Sequence, residues 1–528
     1  MIKNNLKNKL LLFGVVALGL SSCTKKLDLV PTNGTNSANL FTSASAYKQV
    51  LAKVYGSFAT TGSNGAGSGD IQGIDAGTSD FLRLYWKAEE LPTDEAVIQW
   101  GDIGIQDFHN MVWTPNNPFI TGLYYRSLYQ ITLANDFIRQ SSDANLASRN
   151  ITSKSADSVK LFRTEARFLR AYQYAVMMDV FAKPPFIDET PVAQGAYPKQ
   201  KTRAELFAWI ETELKAIEPN LAAPKTNEYG RADKAAAWSL LARLYLNAKV
   251  YTGTDRSTDA ITYSSKVIAA GYSLISKYGE LMLADNNLNT SEFIFTINYD
   301  GNFTQNYGGT TFLTHAPIGG TAKASDYGVD NSWSGLRTTK ALVNKFPGVG
   351  APDLRAQFYT NGQNLEIGSQ TVFTDGYMIK KYVNKTKSGA NGSNQTFVDI
   401  DFPVFRLAEM YMIYAEAVLR GGTGGDNTTA LNYVNIIRTR AYGNATGNWA
   451  AADLTLNNIL DERAREFYWE GFRRTDLVRY GLFTNSTYLW PFKGGISGGT
   501  AVDDFRNIYP LPSADITANP SLQQNPGY

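Results

Sequence analysis

Residues 92–102, PTDEAVIQWGD, place two adjacent carboxylates and a tryptophan in a segment that also contains proline and glycine. A carboxylate such as Asp94 or Glu95 could donate or accept a proton in a hydrolytic reaction. The indole ring of Trp100 offers instead a flat, electron-rich face against which a ligand could stack. The segment therefore suggests either an acid–base centre or a binding surface.

The acid–base alternative would be a glycosidase, in which two carboxyl groups face each other across the scissile bond, about 5–10 Å apart. Adjacent residues point in different directions, so Asp94 and Glu95 cannot supply both groups. Glu89 and Glu90 lie just upstream, but acidic pairs arise easily in a chain with 48 Asp and Glu residues. A solvated or capping role for Asp94 and Glu95 is the simpler interpretation.

Other catalytic patterns are weaker. The segment 495–499, GISGG, fits the nucleophile motif G-x-S-x-G, but its flanks predict neither the strand nor the helix that would expose Ser497. His109 and His315 are the only imidazoles, and neither has a recognisable partner in the sequence. With two histidines and one cysteine, the chain is a poor candidate for a zinc site or an internal disulfide.

The overall composition argues against several further classes of function. The formal net charge is +2, and no dense run of Lys and Arg offers the clustered cations on which nucleic-acid affinity depends. No Walker loop and no G-x-G-x-x-G turn is present. We therefore expect no nucleic-acid partner and no required cofactor.

The amino-terminal segment has the pattern of a secretory signal over residues 1–22. A lysine-containing start leads into the apolar run 10–20, which is shorter than the roughly 20 residues that span a bilayer. The following LSSC resembles a bacterial lipobox, which implies cleavage before Cys23 and its acylation. Residues 23–40 are polar and are predicted to form a tether. The alternative is a plain signal sequence with an accidental cysteine.

Apolar residues recur at helical spacing in several segments of the remaining chain. These segments are 43–58, 159–181, 231–251, 261–272, 404–422 and 430–443. The last four form two pairs, each joined by a short glycine-containing turn. The pattern predicts a mainly α fold for residues 41–528, with tetratricopeptide-like helix pairs as a scaffold.

Long irregular stretches separate the helical segments, at about 60–118, 300–400 and 484–506. They are rich in glycine, asparagine and aromatic residues. Because loops of this length are often functional, we expect them to form a ligand-binding layer on the scaffold.

Three aromatic residues of these loops stand among glycine, asparagine and aspartate. They are Trp100 in IQWGD, Tyr307 in NYGG and Trp333 in NSWSG. An aromatic face can bind the polarised C–H face of a sugar, while amides and carboxylates take its hydroxyls. For any one ring, packing into the core is the alternative.

A calcium loop is one interpretation of DNNLN, where Asp285, Asn287 and Asn289 alternate. Threonines replace the glycine and glutamate that an EF-hand requires. A structural calcium near Asp285, with help from Asp426, is therefore an alternative to a plain asparagine-rich turn.

Several of these segments together resemble SusD/RagB-type lipoproteins. They are the lipobox at Cys23, RTEARFLRAYQYAVMMDVFAKPPF, RADKAAAW, VFRLAEMYMIYAEAV, LDERAREFYWEGFRRTDLVRYG and the terminal YPLPSADITANPSLQQNPGY. The resemblance implies a surface-exposed lipoprotein of the outer membrane that binds oligosaccharides without cleaving them. It also implies a SusC-type TonB-dependent transporter as partner.

The loops resemble the starch-binding branch of that family. The resemblance implies an arc formed by Trp100, Tyr307 and Trp333, which would match the curve of an α-glucan or malto-oligosaccharide. It further implies that Arg83 and Asp75 bind sugar hydroxyls.

The chain departs from the branch at one position. Ile103 stands where the branch has an asparagine, and Asp102 could replace the lost contact. Another glycan, such as a β-glucan or a fructan, is an alternative ligand. A subunit that only seals its transporter is a further alternative.

The residues Arg473, Arg474, Asp476 and Arg479 form a charged cluster that could suggest an acidic ligand. The resemblance favours a scaffold ion-pair network instead. Within this network, Glu470 and Arg474 are predicted to pair at i, i+4 spacing.

Overall fold

Helices make up most of the regular structure in the computed structural model, which describes residues 40–71, 74–191, 193, 195–346 and 352–528. The prediction of a mainly α chain is confirmed. Cys23, the signal sequence and nearly all of the predicted tether lie outside the described residues. Within these ranges no helix combines the length and apolarity that crossing a membrane requires.

The helices of the described residues fall into long scaffold helices and short helices of the loop layer. In chain order they are α1 (Ala44–Ala59), α2 (Phe81–Glu90), α3 (Gln106–Asn110), α4 (Pro118–Gln140), α5 (Asp143–Ser148), α6 (Ser153–Phe181), α7 (Arg203–Ile217), α8 (Lys234–Leu246), α9 (Ala248–Thr252), α10 (Ser257–Ile268), α11 (Gly309–His315), α12 (Lys340–Val343), α13 (Leu407–Leu419), α14 (Asn427–Tyr442), α15 (Leu456–Phe467), α16 (Arg473–Arg479) and α17 (Ser513–Ala518).

The scaffold helices pack in pairs that share partners. The two predicted pairs form, α8 with α10 and α13 with α14, and α10 also packs on α13. In the amino-terminal half, α6 packs on α1, α4 and α7. Ala242, Ala408 and Ala415 are fully buried, which allows close approach of the helices that carry them. The assignment to a tetratricopeptide-like repeat stays a prediction.

One predicted helix begins later than its apolar pattern suggested. The residues from 404 to 406 belong to β6 (Phe402–Arg406), which pairs antiparallel with β2 (Phe293–Ile297), and α13 starts only at Leu407. All five residues of β6 are buried. A strand buried on both faces has no alternating pattern, so periodicity alone does not separate it from a buried helix.

The stretches predicted as irregular contain α2, α3, α11 and α12 and two further strand pairs. β1 (Val97–Ile98) pairs with β3 (Leu336–Arg337), and β4 (Phe358–Tyr359) pairs with β5 (Met378–Ile379). In the first pair, Ile98 lies opposite Leu336. This register brings the chain just after β1 next to the chain just before β3, which are the segments of Trp100 and Trp333.

Candidate functional site

The three aromatic residues singled out from the sequence come together in the structure. The ring centroids of Trp100 and Trp333 are 6.4 Å apart, with an angle of 44° between the planes. Those of Tyr307 and Trp333 are also 6.4 Å apart, at 51°. Tyr307 is 39% exposed, and the two tryptophans are partly exposed. We call these three residues the aromatic surface.

Trp100 is held from three sides. Its indole nitrogen donates a hydrogen bond of 3.1 Å to the carbonyl of Trp333, and the side-chain amide of Gln106 donates one of 2.8 Å to its carbonyl. The ring lies against Gly335, where a Cβ atom would stand only 2.5 Å from Cε2 of Trp100. Glycine at this position therefore leaves the space that the indole occupies.

The ring of Trp333 packs against the ring of a histidine. The ring of His315 stacks on it at 4.8 Å and 23°, and the indole nitrogen donates to Oδ1 of Asn331 at 2.8 Å. Nδ1 of His315 lies 2.9 Å from the carbonyl of Asn331, and burial lowers the pKa of this histidine. His315 is therefore a neutral support for the tryptophan at ordinary pH.

Tyr307 is positioned by contacts that the sequence did not reveal. Arg83 in α2 donates hydrogen bonds from Nη1 to the carbonyls of Tyr307, at 2.9 Å, and Gly77, at 2.5 Å. The ring of Phe397 lies 5.3 Å from that of Tyr307 and adds a fourth ring to the row. Phe397 was missed because it stands in the polar run NQTFVD, which gave no aromatic pattern.

Arg83 is only 8% exposed, and its guanidinium lies 4.6 Å from the ring of Phe312 and 5.5 Å from that of Trp100. Burial lowers its pKa to about 10, and the charges of Asp80, Asp102 and Asp75 oppose that shift. The observed role of Arg83 is to hold the backbone around Tyr307. A contact between Arg83 and a ligand stays a prediction.

Asp75 and Asp102 are both exposed and lie near enough to Arg83 to favour its charged form. A Cβ atom on Gly77 would stand 3.1 Å from Oδ1 of Asp75 and 3.9 Å from Cβ of Tyr307, so Asp75 flanks the aromatic surface. Ile103, next to Asp102, is 88% exposed. Both carboxylates are therefore accessible to a ligand at the edge of the rings, and their part in binding stays a prediction.

Asp94 does not face a ligand, because it is completely buried. Its two carboxylate oxygens accept hydrogen bonds of 2.6 and 2.8 Å from the guanidinium of Arg473, and Tyr488 donates a third. Burial opposes ionisation, but Arg473 outweighs it and lowers the pKa of Asp94 to about 2. A carboxylate in this state cannot donate a proton to a substrate.

Glu95 is also buried, at 1% exposure. Oε2 accepts a hydrogen bond of 3.2 Å from the backbone of Trp469, and burial raises the pKa of Glu95 to about 7. The glycosidase alternative for Asp94 and Glu95 is therefore wrong. So is the solvated or capping interpretation, since both side chains join the scaffold to the carboxy-terminal part of the chain.

The charged cluster near Arg473 is a scaffold network, but its pairing differs from the prediction. Arg474 binds Glu89 at 3.0 Å and Asp179 at 2.8 Å, while Glu470 binds Lys381 and Arg406. The predicted Glu470–Arg474 pair is not formed because α16 begins only at Arg473. Helical i, i+4 geometry therefore does not apply to Glu470.

The remaining catalytic and metal interpretations find no support in the described ranges. Ser497 is exposed and follows no strand, and His109 is buried with its pKa lowered to about 4 by desolvation. The backbone N–H of Lys387 donates to the carboxylate of Asp285, and its ammonium lies 2.9 Å from Oδ1 of Asn289.

The ammonium of Lys387 thus occupies one of the oxygens of the predicted calcium loop, and a structural calcium near Asp285 stays a prediction. Asp426 instead caps α14, accepting a hydrogen bond of 2.9 Å from the backbone of Thr429. Among the residues whose placement is described, no group of three or more His, Cys, Asp or Glu is arranged for a metal ion.

The fold and the sequence together define the class of this protein: the chain belongs to the SusD family. A model of that family matches residues 357–528, and a model described as "Starch-binding associating with outer membrane" matches residues 93–246. Over 568 aligned residues, the chain is 36% identical to "Starch-binding protein SusD" of Bacteroides thetaiotaomicron, covering 98% of each chain. A "SusD-like protein" of Bacteroides ovatus is 24% identical, over 90% of this chain and 83% of its own.

Solved structures share the same fold. A SusD superfamily protein of Bacteroides thetaiotaomicron matches with a TM-score of 0.71 and 20% identity, over 92% of this chain and 100% of its own. Surface glycan-binding protein A of the same organism, in complex with laminarihexaose, matches with a TM-score of 0.68 and 19% identity, over 91% of this chain and 99% of its own. At this level of identity the likeness concerns the fold alone.

Proposed function

We propose that this protein is a lipid-anchored, non-enzymatic glycan-binding protein of the outer-membrane surface. Its ligand is starch or a malto-oligosaccharide, which it delivers to a SusC-type TonB-dependent transporter. The observation that carries the proposal is the aromatic surface, whose neighbouring ring planes are inclined by 44° and 51°. A row of rings inclined to one another suits a coiled glucan better than a flat, extended chain. The 36% identity to a protein named for starch binding supports the same ligand.

Binding at such a surface should be weak. The rings are partly exposed, so few ligand groups would be fully desolvated, and ordering a flexible glycan costs free energy. We expect dissociation constants of about micromolar to millimolar. Weak binding suits a protein that must release its ligand to a transporter.

A β-glucan is a second candidate ligand. Similar structures include one in complex with laminarihexaose and one described as a laminarin-binding SusD-like protein, at 19% and 20% identity. A coiled β-glucan could also follow these inclined rings, so the aromatic surface alone does not separate the two ligands.

Affinity electrophoresis in gels with amylopectin, laminarin or no polysaccharide tests the proposal. We expect amylopectin to retard the wild type, and Trp100→Ala and Trp333→Ala to migrate as in the empty gel. Tyr197→Ala is a matched control, because Tyr197 is 51% exposed and lies in the segment between α6 and α7. If Trp100→Ala is retarded as strongly as the wild type, the aromatic surface is not the site. Retardation in laminarin alone would select the β-glucan.

The remaining parts of the proposal have separate tests. A Cys23→Ser variant should appear in the soluble fraction of the producing cells, because it lacks the thiol that is acylated.

Prolonged incubation with malto-oligosaccharides should release no reducing ends. Co-purification with the transporter from solubilised membranes tests delivery, and a protein that co-purifies but binds no polysaccharide in a broad screen would be a sealing subunit instead.

A further inference from the structure

A second concave site is formed in part by the loops that carry Tyr307 and Phe397. It is a cavity of about 370 Å³ bounded by the loop before α8, the turn that follows β2 and the segment that precedes β6. Its polar and aromatic lining includes Tyr229, Asn287, Asn298, Asp300, Asp399 and Asp401. The volume is at the small end of the range for ligand pockets, which suits one or two sugar rings.

Tyr229 is fixed in the wall of this cavity. Its hydroxyl donates a hydrogen bond of 2.7 Å to Oδ2 of Asp401, which is only 2% exposed, while the tyrosine itself remains 37% exposed. The next residue, Gly230, has a φ of +78° and lies so close to the amide of Asn298 that a Cβ atom would collide with it. The ring is therefore held in place before any ligand arrives, which reduces the entropic cost of binding.

The carboxylates of the cavity are oriented by the backbone rather than by cations. Asp399 accepts hydrogen bonds from the backbone of Gly301 at 2.8 Å and from the hydroxyl of Ser393 at 2.7 Å. Oδ1 of Asp300 accepts from the backbone of Asn302 at 2.8 Å.

Among the described residues, no Lys or Arg forms a salt bridge with Asp300, Asp399 or Asp401. Oriented carboxylates without a cationic partner, such as Asp300 and Asp399, accept hydroxyl hydrogens and repel anions, whereas burial raises the pKa of Asp401 to about 7. The cavity therefore favours a neutral polyhydroxylated ligand over a sulfated or uronic acid sugar.

An aromatic ring stands on the turn that forms one wall. Phe303 is 85% exposed, yet its backbone N–H is held by the side chain of Asp300 at 3.2 Å and by the carbonyl of Asp300 at 3.1 Å. Asp300 and Thr304, on either side of it, both line the cavity. The ring of Phe303 is not part of the cavity wall, but it is displayed to solvent on the same fixed turn, where it is free to stack on a sugar that extends out of the cavity.

The cavity and the aromatic surface share two segments of chain. The segment 300–307 supplies Asp300 to the cavity and Tyr307 to the aromatic surface, and the segment 393–401 supplies Asp399 and Phe397 in the same way. The two segments touch where Gly301 lies against the carbonyl of Phe397, with no room for a Cβ atom. The cavity and the aromatic surface are therefore connected through two segments of chain that contact each other.

From these observations we infer that the cavity is a second carbohydrate subsite, which takes an end of a neutral oligosaccharide against the ring of Tyr229, with Phe303 on the adjoining turn. The inference rests on the proposed glycan-binding function. It extends that function from a row of rings to two connected subsites on one protein.

The test uses the full-length protein with the aromatic surface removed by Trp100→Ala and Trp333→Ala. Saturation-transfer NMR with maltotriose measures what still binds. Phe303→Ala and Asn287→Ala are then added, since both residues are exposed and their side chains are not needed by the fold. Tyr197→Ala, added to the same background, is the control. We expect the background to keep weak binding, and the two added substitutions to reduce it about tenfold or more.

The outcomes separate this inference from the proposed function. If wild type binds maltotriose and the background does not, there is no second subsite, while the aromatic surface stands. Residual binding that is unchanged by the two added substitutions also overturns the inference. If calcium chloride binds in the cavity and displaces maltotriose, the carboxylates serve a cation instead. If the background binds like wild type and the added substitutions abolish binding, the cavity is a site and the aromatic surface is not.

Discussion

A single methyl group at Gly335 should disturb ligand binding without touching the ligand. A Cβ atom at this position would stand 2.5, 2.6 and 2.9 Å from Cε2, Cζ2 and Nε1 of Trp100. Ordinary contacts between carbon atoms begin at about 3.5 Å, so Gly335→Ala requires the indole to recede by about 1 Å. The backbone of Gly335 is not left-handed, so alanine adds no φ strain there.

The effect of Gly335→Ala on glycan affinity and on stability depends on whether the indole ring moves. If the indole moves, one stacking contact worth about 0.5–1.5 kcal/mol is weakened or lost, which lowers glycan affinity about 2- to 10-fold. If the indole does not move, the overpacked site should lower the free energy of unfolding by about 1–3 kcal/mol instead. Either result identifies contact between residue 335 and the indole as the cause.

Affinity electrophoresis and urea unfolding of the same samples measure both quantities. Gly498→Ala is the matched control, because no atom lies within 4 Å of a Cβ atom at Gly498. A Gly335→Ala protein with wild-type affinity and wild-type stability would refute the reasoning, since the indole could not then occupy the position described. Loss of stability in the Gly498→Ala control would show that the assay responds to any added methyl group.

Three further predictions concern buried charges. Arg83→Met should keep the apolar contact with Phe312 but release the backbone of Tyr307, and we expect several-fold weaker retardation in amylopectin gels with little change in urea midpoint. Asp94→Asn leaves Arg473 buried beside a neutral group and should lower the free energy of unfolding, measured in urea, by about 3–5 kcal/mol; a variant with wild-type stability would contradict the structural role of this ion pair. Burial raises the pKa of Glu95 to about 7 and that of Glu90 well above its usual value, so the folded state holds protons that the unfolded state has released. The unfolding free energy should therefore fall as pH rises from about 4.5 to 7, and Glu90→Gln should flatten this slope; an unchanged slope would contradict the assignment.

Local pattern was enough to predict the helices that have one apolar face. The stripe through Tyr47, Leu51, Val54 and Phe58, in the first predicted helical segment, is buried as expected, and the side chain of Ser43 caps α1. The same reasoning placed the start of α13 too early, because β6 is buried throughout and has no periodicity. Local sequence therefore predicts an element best when one of its faces meets solvent.

For the site, residue type alone identified the three rings but not their supports. Trp100, Tyr307 and Trp333 stood out because large aromatics are unusual among glycine and asparagine. The burial of Asp94 could not be read from its neighbours, because its partner Arg473 is 379 residues away in the chain. Nor could the stacking of His315 on Trp333, which depends on where α11 ends.

The pairing of Asp94 with Arg473, and of Glu89 with Arg474, joins the beginning of the chain to its last eighth. During synthesis these acidic residues emerge long before the arginines that neutralise them. Until the carboxy-terminal stretch docks, Asp94 and Glu89 lack the arginines that offset the cost of removing their charges from water. We therefore expect the protein to become able to bind a ligand in one late step of folding, when the carboxy-terminal helices pack against the rest of the chain.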